Sequence, residues 1–142
     1  MALDDTTLDE IIETFEFLDD WEDRYRMIID LGKKLVPLAP DEMTDAFKVR
    51  GCQSQVWLVP TTDAGGRIHF RGDSDAHIVK GLVALMIVVF SGKTGAEIAA
   101  TDAKAILDQL GLAAHLSPMR ANGLFSMVER IQEIAGSSVA SN

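Results

Sequence analysis

The most constraining feature of the sequence is the apolar run from Gly81 to Phe90, GLVALMIVVF. It is apolar on every side of a helix, yet much shorter than the roughly 18 residues that span a bilayer. Such a segment is typical of the centre of a folded core. With the turn and N-cap residues 72–75 before it, the run predicts a buried helix over about residues 75–90. Its end, Ile87 to Val89, would suit a buried strand equally well.

Three short segments before this helix predict antiparallel strands. Apolar and polar residues alternate in 47–50 and 67–71, and residues 56–59 are β-branched or aromatic before Pro60. The turn-forming stretch 61–66, TTDAGG, joins the last two segments as a hairpin. Gly51 and Cys52 fall at the connection between the first two.

Helices are predicted on both sides of these strands. Their apolar spacing and capping residues place them at about residues 7–18, 20–36, 94–111 (one or two short helices) and 117–135. The predicted fold class is therefore α+β, with a small antiparallel sheet of about three strands packed with helices from both ends of the chain. The 142 residues fit a single domain, with frayed ends at 1–6 and 136–142.

The charge of the chain is strongly acidic, since 13 Lys and Arg face 22 Asp and Glu and give a formal charge of −9. A surplus of anions disfavours nucleic acid and anionic membranes as partners. The acids concentrate in residues 1–30, which predicts a solvated helical face or, alternatively, a docking surface for a protein. The acidic amino terminus does not resemble a secretory leader, and we expect a cytoplasmic protein.

Cys52 is the one cysteine, which excludes internal disulfides and cysteine-rich metal sites. It follows a glycine at a break between strands, and the neighbouring Arg50 would favour the reactive thiolate. A buried cysteine acting as a small hydrophobe is an equally good interpretation of these residues alone. His69, His77 and His115 show no metal-ligand spacing, so we expect structural or surface histidines and no metal site.

Several ordered blocks of the chain resemble the SufE family of sulfur acceptors, which includes SufE and CsdE-like proteins. The blocks are GCQSQVWL at 51–58, GDSDA at 72–76, IVKGL at 78–82, HLSP at 115–118, then Arg120 and Gly123-Leu124. The opening segment FLDDWEDRYRMIIDLGKKL, residues 17–35, also resembles the helix pair at the start of that family. The resemblance covers about residues 8–135.

The resemblance implies an α+β fold related to the IscU scaffold and a role in iron–sulfur cluster assembly. Such a protein activates a SufS-type cysteine desulfurase and carries its persulfide sulfur to a scaffold such as a SufBCD-type complex. It implies that Cys52 is the acceptor, on a loop that shields it in the free protein and extends into the desulfurase active site. Supporting positions on or near this loop are Gly51, Gln53, Asp75 and Arg120. No cofactor is expected here, because pyridoxal phosphate belongs to the desulfurase.

The chemistry of persulfide exchange is compatible with a single thiol, because the step needs neither a metal nor a resolving cysteine. One cysteine also excludes a cluster scaffold, which needs several thiolate ligands. Two alternatives stay open. Cys52 could be the nucleophile of a hydrolase or transferase, with His77 or His115 as its base. The chain could also be an interaction module that docks through its acidic helices while Cys52 is inert.

Overall fold

The computed structural model describes residues 6–51 and 54–140, with side chains described through Ser137. This part of the chain forms an antiparallel sheet in the order β1-β2-β3, surrounded by helices. The strands are β1 (Val56–Thr62), β2 (Arg67–Ser74) and β3 (Lys93–Thr94). The helices are α1 (Leu8–Phe17), α2 (Trp21–Gly32), α3 (His77–Phe90), α4 (Gly95–Ala100), α5 (Ala103–Leu110), α6 (Leu112–His115) and α7 (Pro118–Ala140). The α+β fold class is confirmed.

The apolar run forms the central helix α3, as predicted. Its middle residues Val83 and Ala84 are fully buried, and the helix packs on β2, α2 and α7. Ile87 to Val89 lie in its last turns, so the alternative of a buried strand is wrong. The prediction of an N-cap within 72–75 is also wrong. The N-cap residue is Ala76, whose side chain makes no capping hydrogen bond.

Helices α2 and α3 approach each other so closely that glycine is required on both. A Cβ added to Gly81 would collide with the carbonyl group of Ile28, and one added to Gly32 would lie 2.7 Å from the amide nitrogen of Gly81. Because real side chains do not tolerate such contacts, the two backbones are in direct contact. This crossing fixes the amino-terminal helices on the core.

The sheet differs from the prediction in its third strand. Residues 47–50 form only an isolated bridge, Lys48 with Trp57, whereas Lys93–Thr94 pairs with β2 and completes the sheet. A short 3₁₀ turn, Pro40–Glu42, and a bent segment precede the bridge, and a loop follows it at once. The chain therefore meets β1 only briefly.

Strand β1 also continues past Pro60, where the sequence predicted its end. Pro60 is in β1, an edge strand of the sheet, and lies opposite Phe70 in the central strand β2. The amide of Phe70 donates to the hydroxyl of Ser91 (2.9 Å) and needs no partner on β1. Proline is tolerated at an edge position because its missing N–H removes no bond from the ladder.

Helices α1 and α2 begin at their predicted capping residues. Thr7 Oγ1 accepts from the amide of Glu10 (3.2 Å) at α1, and the carboxylate of Asp20 caps α2. Helix α2 ends at Gly32, earlier than predicted, and α7 continues through Ala140. In the part of the chain that the structure describes, no helix is both long and apolar enough to cross a bilayer.

Candidate functional site

The loop that carries Cys52 is closed at its base by pairing between the chain before and after it. The amide of Val49 donates to the carbonyl of Val56 (2.8 Å), and the amide of Leu58 donates to the carbonyl of Phe47 (2.9 Å). Residues 50–55 form the connection. Cys52 and Gln53 themselves lie outside the described residues, so the site is defined by the residues on either side of them.

Before Cys52, the loop lies directly against helix α7. Gly51 has a φ of +90°, and a Cβ on it would lie 2.6 Å from the hydroxyl oxygen of Ser126. The dihedral angle favours glycine at this position, and a Cβ would also displace the hydroxyl of Ser126. The predicted supporting residue Gly51 is therefore held between its own backbone conformation and α7. Ser126 was not identified from the sequence, because nothing local marks a helical serine as a neighbour of a distant loop.

After Cys52, the loop is bonded to the segment that joins β2 to α3. The amide of Gln55 donates to Oδ1 of Asp75 (3.0 Å), and the amide of Asp75 donates to the carbonyl of Gln55 (3.3 Å). Asp75 was predicted as a supporting residue, and the structure places it at the base of the loop. The contribution of Gln55 to this pair was not predicted, since it is made by backbone atoms.

The same segment is braced by a second carboxylate. Asp73 accepts from the amide of Ser74 (2.8 Å) and forms an ion pair with Lys80 (3.3 Å) on α3. The side chain of Asp73 is only 16% exposed, so water screens this pair less than a pair on the open surface. The segment to which the loop is bonded is therefore itself attached to α3.

A small cavity of about 100 Å³ borders the loop at Ser54. It is mainly apolar, and Arg120 is the one charged residue among those that line it: Ser54, Ala76, Val79, Leu82, Met119, Arg120, Gly123 and Met127. Arg120 and Met119 are exposed at its rim. Within residues 6–51 and 54–137, the structure shows no hydrogen-bond or ion-pair partner for the guanidinium of Arg120.

A larger polar cleft of about 440 Å³ lies where the loop begins. Its lining carries charges of both signs: Asp45, Ala46, Lys48, Arg50, Ser126, Glu129, Arg130 and Glu133. Arg50, which the sequence suggested as a cation near the thiol, lines this cleft and not the apolar cavity. The loop is thus bordered by an apolar cavity and by a mixed-charge cleft, both of them along α7.

The segment that leads into the loop is tied to β2 by an ion pair. Arg71 donates to both carboxylate oxygens of Glu42. This hydrogen bonding to Arg71, together with the amide of Ala39, lowers the pKa of Glu42 below its usual value. Glu42 therefore stays ionised under ordinary conditions and keeps the 3₁₀ turn attached to the sheet.

Two of the three histidines take part in local contacts. His69 lies 2.9 Å from Asp63 in the β1–β2 turn, and this bond lowers the pKa of Asp63. His115 stacks on Trp21 with ring centroids 4.0 Å apart. His77 is exposed at the start of α3. In the described ranges, no three histidine or acidic side chains come together in a group that could hold a metal ion.

The chain is similar to a protein of known structure and, more closely in sequence, to several other proteins. By fold, the chain resembles a hypothetical protein from Thermus thermophilus solved in solution, with a TM-score of 0.74 and 20% identity over 94% of this chain and 96% of that one. At this identity the likeness concerns the fold alone. Curated relatives are much closer in sequence.

Uncharacterized SufE-like proteins of Rhizobium etli and Rhizobium meliloti are 54% and 53% identical to this chain. The alignments cover 91% and 92% of this chain, and 89% and 95% of those proteins. The sulfur acceptor protein CsdE of Escherichia coli is 44% identical over 88% of this chain and 85% of its own length. The model of the SufE family, described as an Fe–S metabolism associated domain, matches residues 9–135. The chain belongs to the SufE family.

Proposed function

We propose that this protein accepts sulfur from a SufS-type cysteine desulfurase as a persulfide on Cys52 and stimulates that enzyme. It then delivers the sulfur to iron–sulfur cluster assembly, with a SufBCD-type scaffold as the receiving complex, in the reducing cytoplasm. One observation carries the proposal. The SufE match spans residues 9–135, and within it the one cysteine of the chain lies between two anchored loop ends.

The proposed step is a transfer of one sulfur atom between two thiols. The thiolate of Cys52 attacks the outer sulfur of the donor persulfide, the S–S bond of the donor breaks, and the donor cysteine leaves as a thiolate. Cys52 then holds the persulfide, and the same exchange in the other direction passes it to an acceptor. No net oxidation occurs, so this chain needs no cofactor of its own. Pyridoxal phosphate supplies the carbon–sulfur cleavage on the desulfurase.

The residues around the loop support this step by positioning. Gly51 and Asp75 hold its two ends through the contacts with Ser126 and Gln55. We assign Arg120, whose guanidinium has no partner among the described residues, to an anion at the loop, either the thiolate or a carboxylate of the desulfurase. Gln53 is adjacent to Cys52 in the chain, and its role stays a prediction.

The decisive experiment combines the protein with a SufS-type cysteine desulfurase and cysteine. The wild type is expected to raise the rate of sulfide release, and intact mass is expected to show one added sulfur located at Cys52. Cys52→Ser should lose both effects.

A matched control moves the thiol elsewhere. The variant Cys52→Ser with Ala114→Cys keeps one exposed cysteine, on α6, and should neither stimulate the enzyme nor retain sulfur. Full stimulation by Cys52→Ser would contradict the proposal and would favour a docking module with an inert cysteine. Sulfur retained on Ala114→Cys to the same extent as on Cys52 would show that the loop has no special role.

A further inference from the structure

The surface formed by α1 and α2 takes no part in the site described above. A groove of about 410 Å³ runs between the two helices, with an apolar floor that includes Ile11, Leu18, Met27 and Leu31. None of the residues that line this groove lines the cavity or the cleft at the Cys52 loop. A molecule bound in the groove would therefore leave the described surroundings of the loop free.

An exposed aromatic side chain, Phe17, ends α1 directly before Leu18, which lines this groove. Phe17 is 84% exposed, more than any other large apolar side chain in the described part of the chain. Glu10 and Thr14 lie seven and three positions before it on α1, hence on the same helical face, and both line the groove. Covering Phe17 and the groove floor together would remove apolar surface from water, which favours association.

The charges on α1 and before α2 select the kind of partner, and one of them, Glu10, lines the groove itself. Six exposed carboxylates have no cation within salt-bridge distance among the described residues: Asp9, Glu10, Glu13, Glu16, Asp19 and Asp20. Most of the nearby cations are already paired: Arg26 with Glu22 and Asp23, and Lys33 with Asp30. The guanidinium of Arg24 donates to two backbone carbonyls. Lys34 also lines the groove and has no salt bridge among the described residues, so six carboxylates face one unpaired cation. The surface is therefore complementary to a positively charged one.

We propose that the α1–α2 surface is a docking site for a positively charged amphipathic helix of a partner protein. Apolar side chains of that helix, spaced three to four residues apart, enter the groove and cover Phe17, while its Lys and Arg flank the free carboxylates. The chain's own first residues are a poor occupant, because Asp4 and Asp5 carry the same charge as the surface. Nucleic acid and anionic membranes are excluded by the same repulsion.

The test uses the full-length protein and a synthetic helical peptide of Leu and Lys in amphipathic order, with a scrambled peptide of equal composition. Titration into ¹⁵N-labelled protein is expected to shift amide signals of α1 and α2, and the scrambled peptide should bind about tenfold more weakly. Phe17→Ala should weaken binding of the amphipathic peptide by about tenfold. Phe125→Ala removes another exposed phenylalanine, 42% exposed on α7, and should leave the dissociation constant unchanged.

A pair of charge reversals separates local recognition from general attraction to an acidic protein. Glu10→Lys with Glu13→Lys and Glu129→Lys with Glu133→Lys change the net charge equally, and circular dichroism checks that both variants fold; Glu10 lines the groove. Only the first pair should weaken binding. Equal weakening by both pairs, or signal shifts spread over all acidic surfaces, would overturn the proposal. Since the readout involves no sulfur transfer, failure here leaves the proposed function of Cys52 unaffected, and the reverse also holds.

Discussion

The carboxylate of Asp75 accepts a hydrogen bond from the loop backbone instead of capping the helix that follows it. Sequence patterns favour the capping role, because Asp before an apolar helical run is a common N-cap. In the structure, the carboxylate accepts a hydrogen bond from the amide of Gln55, twenty positions earlier in the chain. A local pattern cannot reveal such a contact, since it depends on where β1 and β2 bring the two segments together.

We expect Asp75→Ala to release the amide of Gln55. Loss of one hydrogen bond to a charged acceptor is worth about 1.5 kcal/mol, so amide exchange at Gln55 should accelerate about tenfold. Hydrogen exchange followed by NMR measures this directly. Asp75→Asn keeps an acceptor oxygen at the same position and should preserve most of the protection. Unchanged exchange in Asp75→Ala would show that the bond does not hold the loop in solution.

The elements that could be predicted are those whose stability is local. Helix α1 carries its apolar stripe and its Thr7 cap in consecutive residues, and α3 is apolar throughout, so both were placed within two residues of their bounds. Strand β3 has only Lys93 and Thr94 and no alternation. It pairs with β2 because α3 returns the chain to that edge, which is a consequence of tertiary structure. The predicted strand at 47–50 has the alternating pattern, but it pairs with β1 only through the single bridge between Lys48 and Trp57.

At the crossing of α2 and α3 we expect Gly81→Ala to destabilise the protein. The added methyl group collides with the carbonyl of Ile28, and overpacking of this kind costs about 1–3 kcal/mol, more than the gain in helix propensity of alanine. Urea unfolding measures the change in the free energy of unfolding.

Gly136→Ala is the matched control for this substitution. Gly136 also lies within a helix, but no atom lies within 4 Å of a Cβ placed there. The same change should stabilise α7 by about 0.5–1 kcal/mol. Equal effects of the two substitutions would show that the helices are farther apart than the structure places them.

The described part of the chain is organised around one hydrophobic cluster. Its buried members run from Ile11 in α1 to Ala135 in α7, with residues from the sheet and from every α-helix between them. A single core of this kind favours two-state unfolding. The two tryptophans report on different regions, since Trp21 belongs to the α2–α6 contact and Trp57 to β1.

We therefore expect the fluorescence and circular dichroism midpoints in urea to coincide in each of two variants. Trp21→Phe leaves Trp57 as the only indole, and Trp57→Phe leaves Trp21. Comparing two probes within one variant removes any difference in stability between variants. A fluorescence midpoint of Trp57→Phe clearly below its dichroism midpoint would mean that α1 and α2 unfold separately, which contradicts a single domain.

The candidate site was predictable only in part. The block around Cys52 and the family resemblance pointed to Gly51, Asp75 and Arg120, and the structure places these three around the described ends of the loop. Ser126 and Gln55 were missed, because each contributes through an atom that any serine or any backbone offers. The sequence identified the residues with distinctive side-chain chemistry, whereas the contacts that they make with Ser126 and Gln55 are visible only in the three-dimensional structure.

The pairing of Val49 with Val56 also sets how far the sulfur atom can travel. With that pair intact, Cys52 is tethered by three residues on the Val49 side, and a fully extended chain gains at most about 3.6 Å per residue. The Cα atom of Cys52 can therefore lie at most about 11 Å from that of Val49. If the donor sulfur lay deeper than this in its pocket, the hydrogen bond between Val49 and Val56 would have to break before the sulfur could be transferred.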